Sequence, residues 1–243
     1  MSRAAGHPRG RGSRGGAGLK FLITVAVIVV LLVIIDFGAR AVAESELATK
    51  IQQQGLPRKP DVSIDGFPFL TQVAAKDFSQ VNIAATNVPE GYVTISKINA
   101  TGRQIKLNSY AFRSGTITSL SGTALISFAS LASTLTQQIG PLGAVLNGAG
   151  LKLTAAGPHK VRATLNLVVT TGSATWRVAL LSGQNLRISL AASSGLPASL
   201  ISAMSSVTLH IPSLPLGLAI NSVSVTAAGV VGQISGHDVP FGK

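Results

Sequence analysis

The stretch VRATLNLVV, residues 161–169, decides the fold class. Positions 161, 163, 165, 167 and 169 are apolar, whereas 162, 164 and 166 are Arg, Thr and Asn. Side chains alternate across a strand, so this pattern describes a half-buried antiparallel strand with one face on a core and the other in water. Trp176, Val178 and Leu180 repeat it, as do Leu186, Ile188 and Leu190, with residues 170–173 and 182–184 read as the turns between them. Arg162, Arg177 and Arg187 all take the outward phase, together with Lys152. One face of this sheet is therefore apolar and the other positively charged.

Further out, Val81, Ile83 and Ala85, then Val93 and Ile95, show the same alternation, and residues 221–226 and 229–235 read as a closing strand pair. Two stretches interrupt the strands. In 128–139, Phe128, Leu131, Leu135 and Ile139 recur at helical spacing before Gly140-Pro141; in 197–207, Pro197 opens a segment with Leu200, Ile201, Met204 and Val207 on one stripe. The opposite side of each is Ser, Thr, Gln and Ala without charge, which suits helices packed into the hollow of a sheet. The expected class is α+β, a curved antiparallel sheet wrapped around two helices.

At the N-terminal end lies FLITVAVIVVLLVII, residues 21–35, preceded by Arg3, Arg9, Arg11, Arg14 and Lys20 with no acidic residue. Extended to residues 19–39, with Lys20 and Asp36 at the two interfaces, a helix reaches about 31 Å, enough for the hydrocarbon layer of a bilayer. The positive flank sets the orientation: residues 1–18 form a disordered cytoplasmic tail and everything after Asp36 is exported. Ala41-Val42-Ala43 ahead of Glu44 also fits a signal-peptide cleavage site, so a retained anchor and a secreted form cut after Ala43 both stand. Residues 40–60 read as a helical stalk or linker that places Arg58 and Lys59 near the membrane surface, and residues 61–243 as one exported domain.

The formal charge of +12 divides into +5 from residues 1–35 and +7 from the rest, where 15 Lys and Arg face 8 Asp and Glu. A basic exported domain suits anionic headgroups or acidic polymers. Nucleic acid fits poorly, with one Trp and two Tyr available for stacking and no reading motif. The absence of cysteine excludes disulfides, thiol nucleophiles and thiolate metal sites.

Three stretches carry a resemblance: IDGFPFLTQ (64–72), FSQVNIAATNV (78–88) and LPLGLAINSVSVTAAGVVGQISGHDV (214–239). Together they resemble the LmeA-like phospholipid-binding proteins of the actinobacterial cell envelope. The resemblance implies a tubular lipid-binding-like fold, binding of anionic phospholipid including inositol phospholipid, and a role in maturing envelope lipids or lipoglycans. A phospholipase A-type activity is associated with the family, but no catalytic residue carries over; Gly66, Phe67, Pro68, Phe69 and Leu70 match its motif. Read from the residues, Pro68 keeps Phe67 extended and displays two rings, either as a plug for the core or as a lip toward acyl chains.

An esterase needs a nucleophile, a base and an acid, yet no G-x-S-x-G elbow occurs and no carboxylate stands between Glu90 and Asp238. His159, His210 and His237 are scattered without metal-binding spacing, and no cofactor is expected. The expectation is a phospholipid-binding device with an apolar cavity, lined by the 66–70 motif, Phe128, Leu131, Leu135, Leu200 and Met204. Arg58, Lys59, Arg162, Arg177 and Arg187 are its membrane-surface cations. A lipid hydrolase and a non-catalytic envelope scaffold are the alternatives.

Overall fold

The computed structural model describes residues 15–53, 56–90, 93–109, 114–138, 148, 150–166, 171–181, 185–196, 198–203, 206–210 and 219–242. A helix, α1 (Gly15–Gln52), leads into β1 (Asp61–Asp65), α2 (Phe69–Ala75), β2 (Asp77–Glu90), β3 (Val93–Leu107), β4 (Ser114–Ser127) and α3 (Phe128–Gln138). Then follow β5 (Lys152–Ala155), β6 (Lys160–Asn166), β7 (Thr171–Leu181), β8 (Asn185–Ser194), α4 (Ala198–Ala203), β9 (Ser206–His210), β10 (Ala219–Thr226) and β11 (Gly229–Gly242). The strands form two antiparallel sheets, one of six strands in the order β1-β2-β3-β4-β11-β10 and one of five in the order β5-β6-β7-β8-β9. The α+β class is as expected.

With 38 residues, α1 is about 57 Å long, nearly twice a bilayer core. Its first part is apolar all round, with Leu22, Ile28, Leu32 and Ile35 exposed. From Asp36 onward one stripe turns inward: Asp36, Ala39, Arg40, Ala43, Glu44 and Ala48 are buried or half-buried, at helical spacing. Residues 40–52 of the segment read as a stalk are thus part of the docked half of one continuous helix.

Register gives the molecule a proximal and a distal end relative to α1. Glu44 accepts the backbone N–H of Ile64, Arg40 reaches Asp65, and Asp36 meets Phe69, so β1 runs antiparallel to α1. Through β1–β2, β2–β3, β3–β4 and β4–β11 pairing, Phe78, Ile105, Ile117 and Val239 fall at the proximal end, and Glu90, Val93, Ser127 and Gly229 at the distal end. A proximal core of Ile64, Phe69, Phe78, Ile105 and Leu107 closes against Ala39 and Ala43 of α1 and Val73 of α2. A distal core of Leu153, Val161, Ala163, Val178, Val223 and Val225 joins the two sheets beneath Phe128 and Leu131 of α3.

Two local expectations are corrected. Thr171, Gly172 and Ser173 lie inside β7, opposite Asn166, Leu165 and Thr164, and do not form a turn. Gly172 is there because a Cβ would collide with Leu196, so its small size serves close packing. Of the helix expected over 197–207 the described residues show α4, and Val207 is a strand residue opposite Ile188, as β-branched residues favour. Residues 167–169, Ile139, Pro197 and Met204 lie outside the described residues.

Candidate functional site

The six-stranded sheet has one face that is apolar from end to end. Val81, Ile83 and Ala85 of β2, Ile98, Ala100 and Gly102 of β3, Leu120, Gly122, Ala124 and Ile126 of β4, and Val230, Gly232 and Ile234 of β11 share it by register. The opposite face is polar. There Asp65 accepts hydrogen bonds from Gln80 Nε2 at 2.8 Å and Asn82 Nδ2 at 2.7 Å, Thr101 donates to Asn82 at 2.9 Å, and Arg103 donates to Gln80 at 3.2 Å.

A break near the proximal end keeps the apolar residues on one side. Gln104 (φ 52°) and Asp238 (φ 48°) are left-handed and level with each other across Thr118, whose hydroxyl donates to the Gln104 carbonyl at 3.1 Å. Gly102 and Ile105, three residues apart, therefore face the same way: a Cβ on Gly102 would lie 3.5 Å from Ile105 Cδ1.

Each core covers one end of this face. Between them Ile83, Ile98, Ala100, Ala124 and Ile234 remain only half-buried. A Cβ built on Gly232 meets no described atom within 4 Å, although its strand neighbours Val223 and Ala124 are apolar. From Leu120 to Ile126 the floor extends about 20 Å at strand rise. Its glycines and alanines present little side-chain bulk, and an apolar surface of this kind can meet hydrocarbon without leaving a polar group unpaired.

At the proximal end sits the 66–70 motif. Gly66 (φ 107°) makes the bend and Pro68 precedes the first turn of α2. Phe69 is buried in the proximal core against Phe78, ring centroids 6.1 Å apart. Phe67 points outward, 63% exposed, and stacks on Phe37 of α1, itself 56% exposed, at 6.1 Å; Leu70 is exposed beside them. The α2 N-terminus is capped from afar: Asp36, 4% exposed, accepts Phe69 N–H at 2.8 Å and Leu70 N–H at 2.7 Å.

A model of the LmeA-like phospholipid-binding family matches residues 34–235. The chain belongs to that family. The match begins inside α1, just ahead of Asp36, and so includes the docked half of the helix. No curated protein and no solved structure matches the chain.

For this LmeA-like protein, the structure divides the expected site residues between two places. Gly66, Phe67, Pro68, Phe69 and Leu70 are proximal, whereas Phe128 and Leu131 pack on the distal core. Met204 and the side chains of Leu135 and Leu200 lie outside the described residues. The cations separate likewise: Arg58 and Lys59 adjoin α1, where Lys59 Nζ donates to Ser45 Oγ at 2.9 Å, while Arg162, Arg177 and Arg187 are exposed on the five-stranded sheet.

An open cleft of about 870 Å³ lies beside α2, among Thr71, Gln72, Asp77, Ser79, Gln104 and Lys106. Its hydroxyls, amides and charges suit water or a polar group better than an acyl chain. Nor do the histidines assemble with an acid among the described residues. His159 Nδ1 lies 3.1 Å from the Val223 carbonyl, which can only accept, so that nitrogen carries the proton and the ring ties the 156–160 turn to β10.

Proposed function

We propose that this protein is a membrane-tethered phospholipid-binding device that takes an acyl chain along the apolar floor of its six-stranded sheet. The observation that carries the reading is the half-buried floor from Leu120 to Ile126, with no described residue over Gly232, in a member of a phospholipid-binding family. Burying hydrocarbon is worth about 0.8 kcal/mol per CH₂, so a partial chain outweighs any single surface ion pair.

In this reading α1 is a retained anchor with the N-terminus in the cytoplasm, and the domain stands on the outer surface of the cell membrane. The docked half of α1 argues for retention, because cutting after Ala43 would remove both the Asp36 cap and Arg40. Phe37, Phe67 and Leu70 then meet the bilayer at the mouth of the floor, and lipid enters from the leaflet itself. The basic balance of the exported part favours anionic headgroups, inositol phospholipid among them, and the role is to hold or hand over lipid during envelope lipid or lipoglycan maturation. No reaction is required of it.

The test is native mass spectrometry of the full chain released from detergent, followed by organic extraction and lipid analysis. A stoichiometric diacyl phospholipid is expected. Protein that emerges lipid-free under conditions that keep it folded would contradict the proposal.

A further inference from the structure

We infer that the outer face of the five-stranded sheet is a docking surface for a linear acidic glycan on the exported side of the membrane, separate from the lipid site. Lys152, Lys160, Arg162, Arg177 and Arg187 are all exposed, one or two on each of β5, β6, β7 and β8. Lys160 is directly opposite Arg177. Lys152 is opposite Thr164, Arg162 opposite Thr175, Arg177 opposite Ser189 and Arg187 opposite Ala179, so cations on adjacent strands are diagonal neighbours about 7–8 Å apart. They form a stripe running across four strands.

Nothing among the described residues neutralises that stripe. Among the described residues none of the five is in an ion pair, and the sequence holds no carboxylate between Glu90 and Asp238. Five like charges held on rigid strands repel one another, a standing cost that an anionic ligand relieves.

Position and composition choose among anions. The stripe belongs to the distal end, joined to β10 where Pro158 accepts the Val225 N–H at 2.7 Å, and β4, with 14 residues, separates that end from the α1 mouth by about 45 Å. The bilayer that holds α1 is therefore out of reach. Between the cations stand Thr154, Thr164, Thr175, Ala179 and Ser189, with Leu181 at the side of Arg187 and, among the described residues, no aromatic side chain to insert into a second bilayer or to stack on bases, while Trp176 packs inward. Single-file charges at regular spacing match a chain with a repeating charge better than a plane. Long cationic side chains held on fixed strands suit its carboxylates or phosphates.

The experiment uses the full chain in zwitterionic phosphatidylcholine nanodiscs, titrated with oligogalacturonate as a linear carboxylate probe at low and moderate salt. The expected result is salt-dependent binding that weakens roughly tenfold in Arg162→Gln/Arg177→Gln/Arg187→Gln. It is retained in the corresponding triple Lys variant and unchanged in Arg58→Gln/Lys59→Gln. Equal affinity of the triple Gln variant and the wild type, at matched thermal midpoints, would overturn the proposal. So would wild-type binding to phosphatidylglycerol vesicles without binding to the glycan.

Discussion

The carboxylate of Asp36 accepts the backbone N–H of Phe69 at 2.8 Å, across 33 residues of sequence, and joins the apolar helix to the first turn of α2. A seven-residue helix has little stability of its own, and its free N–H groups need an acceptor. The expected consequence is that Asp36→Ala destabilises the domain by about 3 kcal/mol, since two charge-assisted hydrogen bonds disappear and buried donors are left. Asp36→Asn should lose about half of that. Thermal unfolding in nanodiscs measures both, and an unchanged midpoint for Asp36→Ala would show that the cap is ornamental.

The same relationship predicts the processing of the chain. Protein isolated from native membranes should retain Asp36 and Arg40, so intact-mass measurement should find no folded, lipid-loaded species beginning at Glu44. Such a species would mean that the docked half of α1 is dispensable.

Two glycines on one face should respond oppositely. A Cβ on Gly122 lies 2.9 Å from the Asn99 carbonyl, so Gly122→Ala should cost about 1–3 kcal/mol in thermal or denaturant unfolding. At Gly232 no described atom lies within 4 Å of a Cβ, and Gly232→Phe should fold with a near-wild-type midpoint while the ring covers the floor and bound lipid falls severalfold. Lipid content per protein, measured by extraction, separates the two.

At the mouth, Phe67→Ser combined with Leu70→Ser should leave stability within about 1 kcal/mol, because both side chains are exposed. Uptake of a fluorescent phospholipid from vesicles should slow, as each inserted apolar side chain contributes on the order of 1.5–3 kcal/mol of contact. Uptake at the wild-type rate would remove the mouth from the pathway.

The half-buried strands were legible in the sequence because their period of two is unbroken: Val161, Ala163 and Leu165 are buried and Arg162 is exposed, as the pattern requires. The α2 helix was not legible. It begins within a motif that reads as a turn, is too short to show a period, and depends on Asp36, whose place in the sequence suggested only a membrane interface. At the proximal end the pattern fails for a different reason: Gln104 and Asp238 break the alternation in β3 and β11, so Ile105 and Val239 fall out of the phase that a strict count expects. Gly172 misled in the opposite sense, since glycine marks close packing as readily as a turn. Val81, Ile83 and Ala85 read as one apolar phase in the sequence, whereas the residues of β3, β4 and β11 that share their face do not.

The most direct measurement uses a phospholipid with a photoactivatable group partway along one acyl chain, incorporated into nanodiscs with the full chain and illuminated. Peptide mapping should place adducts on the central floor, at Ile83, Ile98, Ala124 or Ile234. Adducts confined to the apolar part of α1, with none on the sheet, would contradict the acyl-chain site.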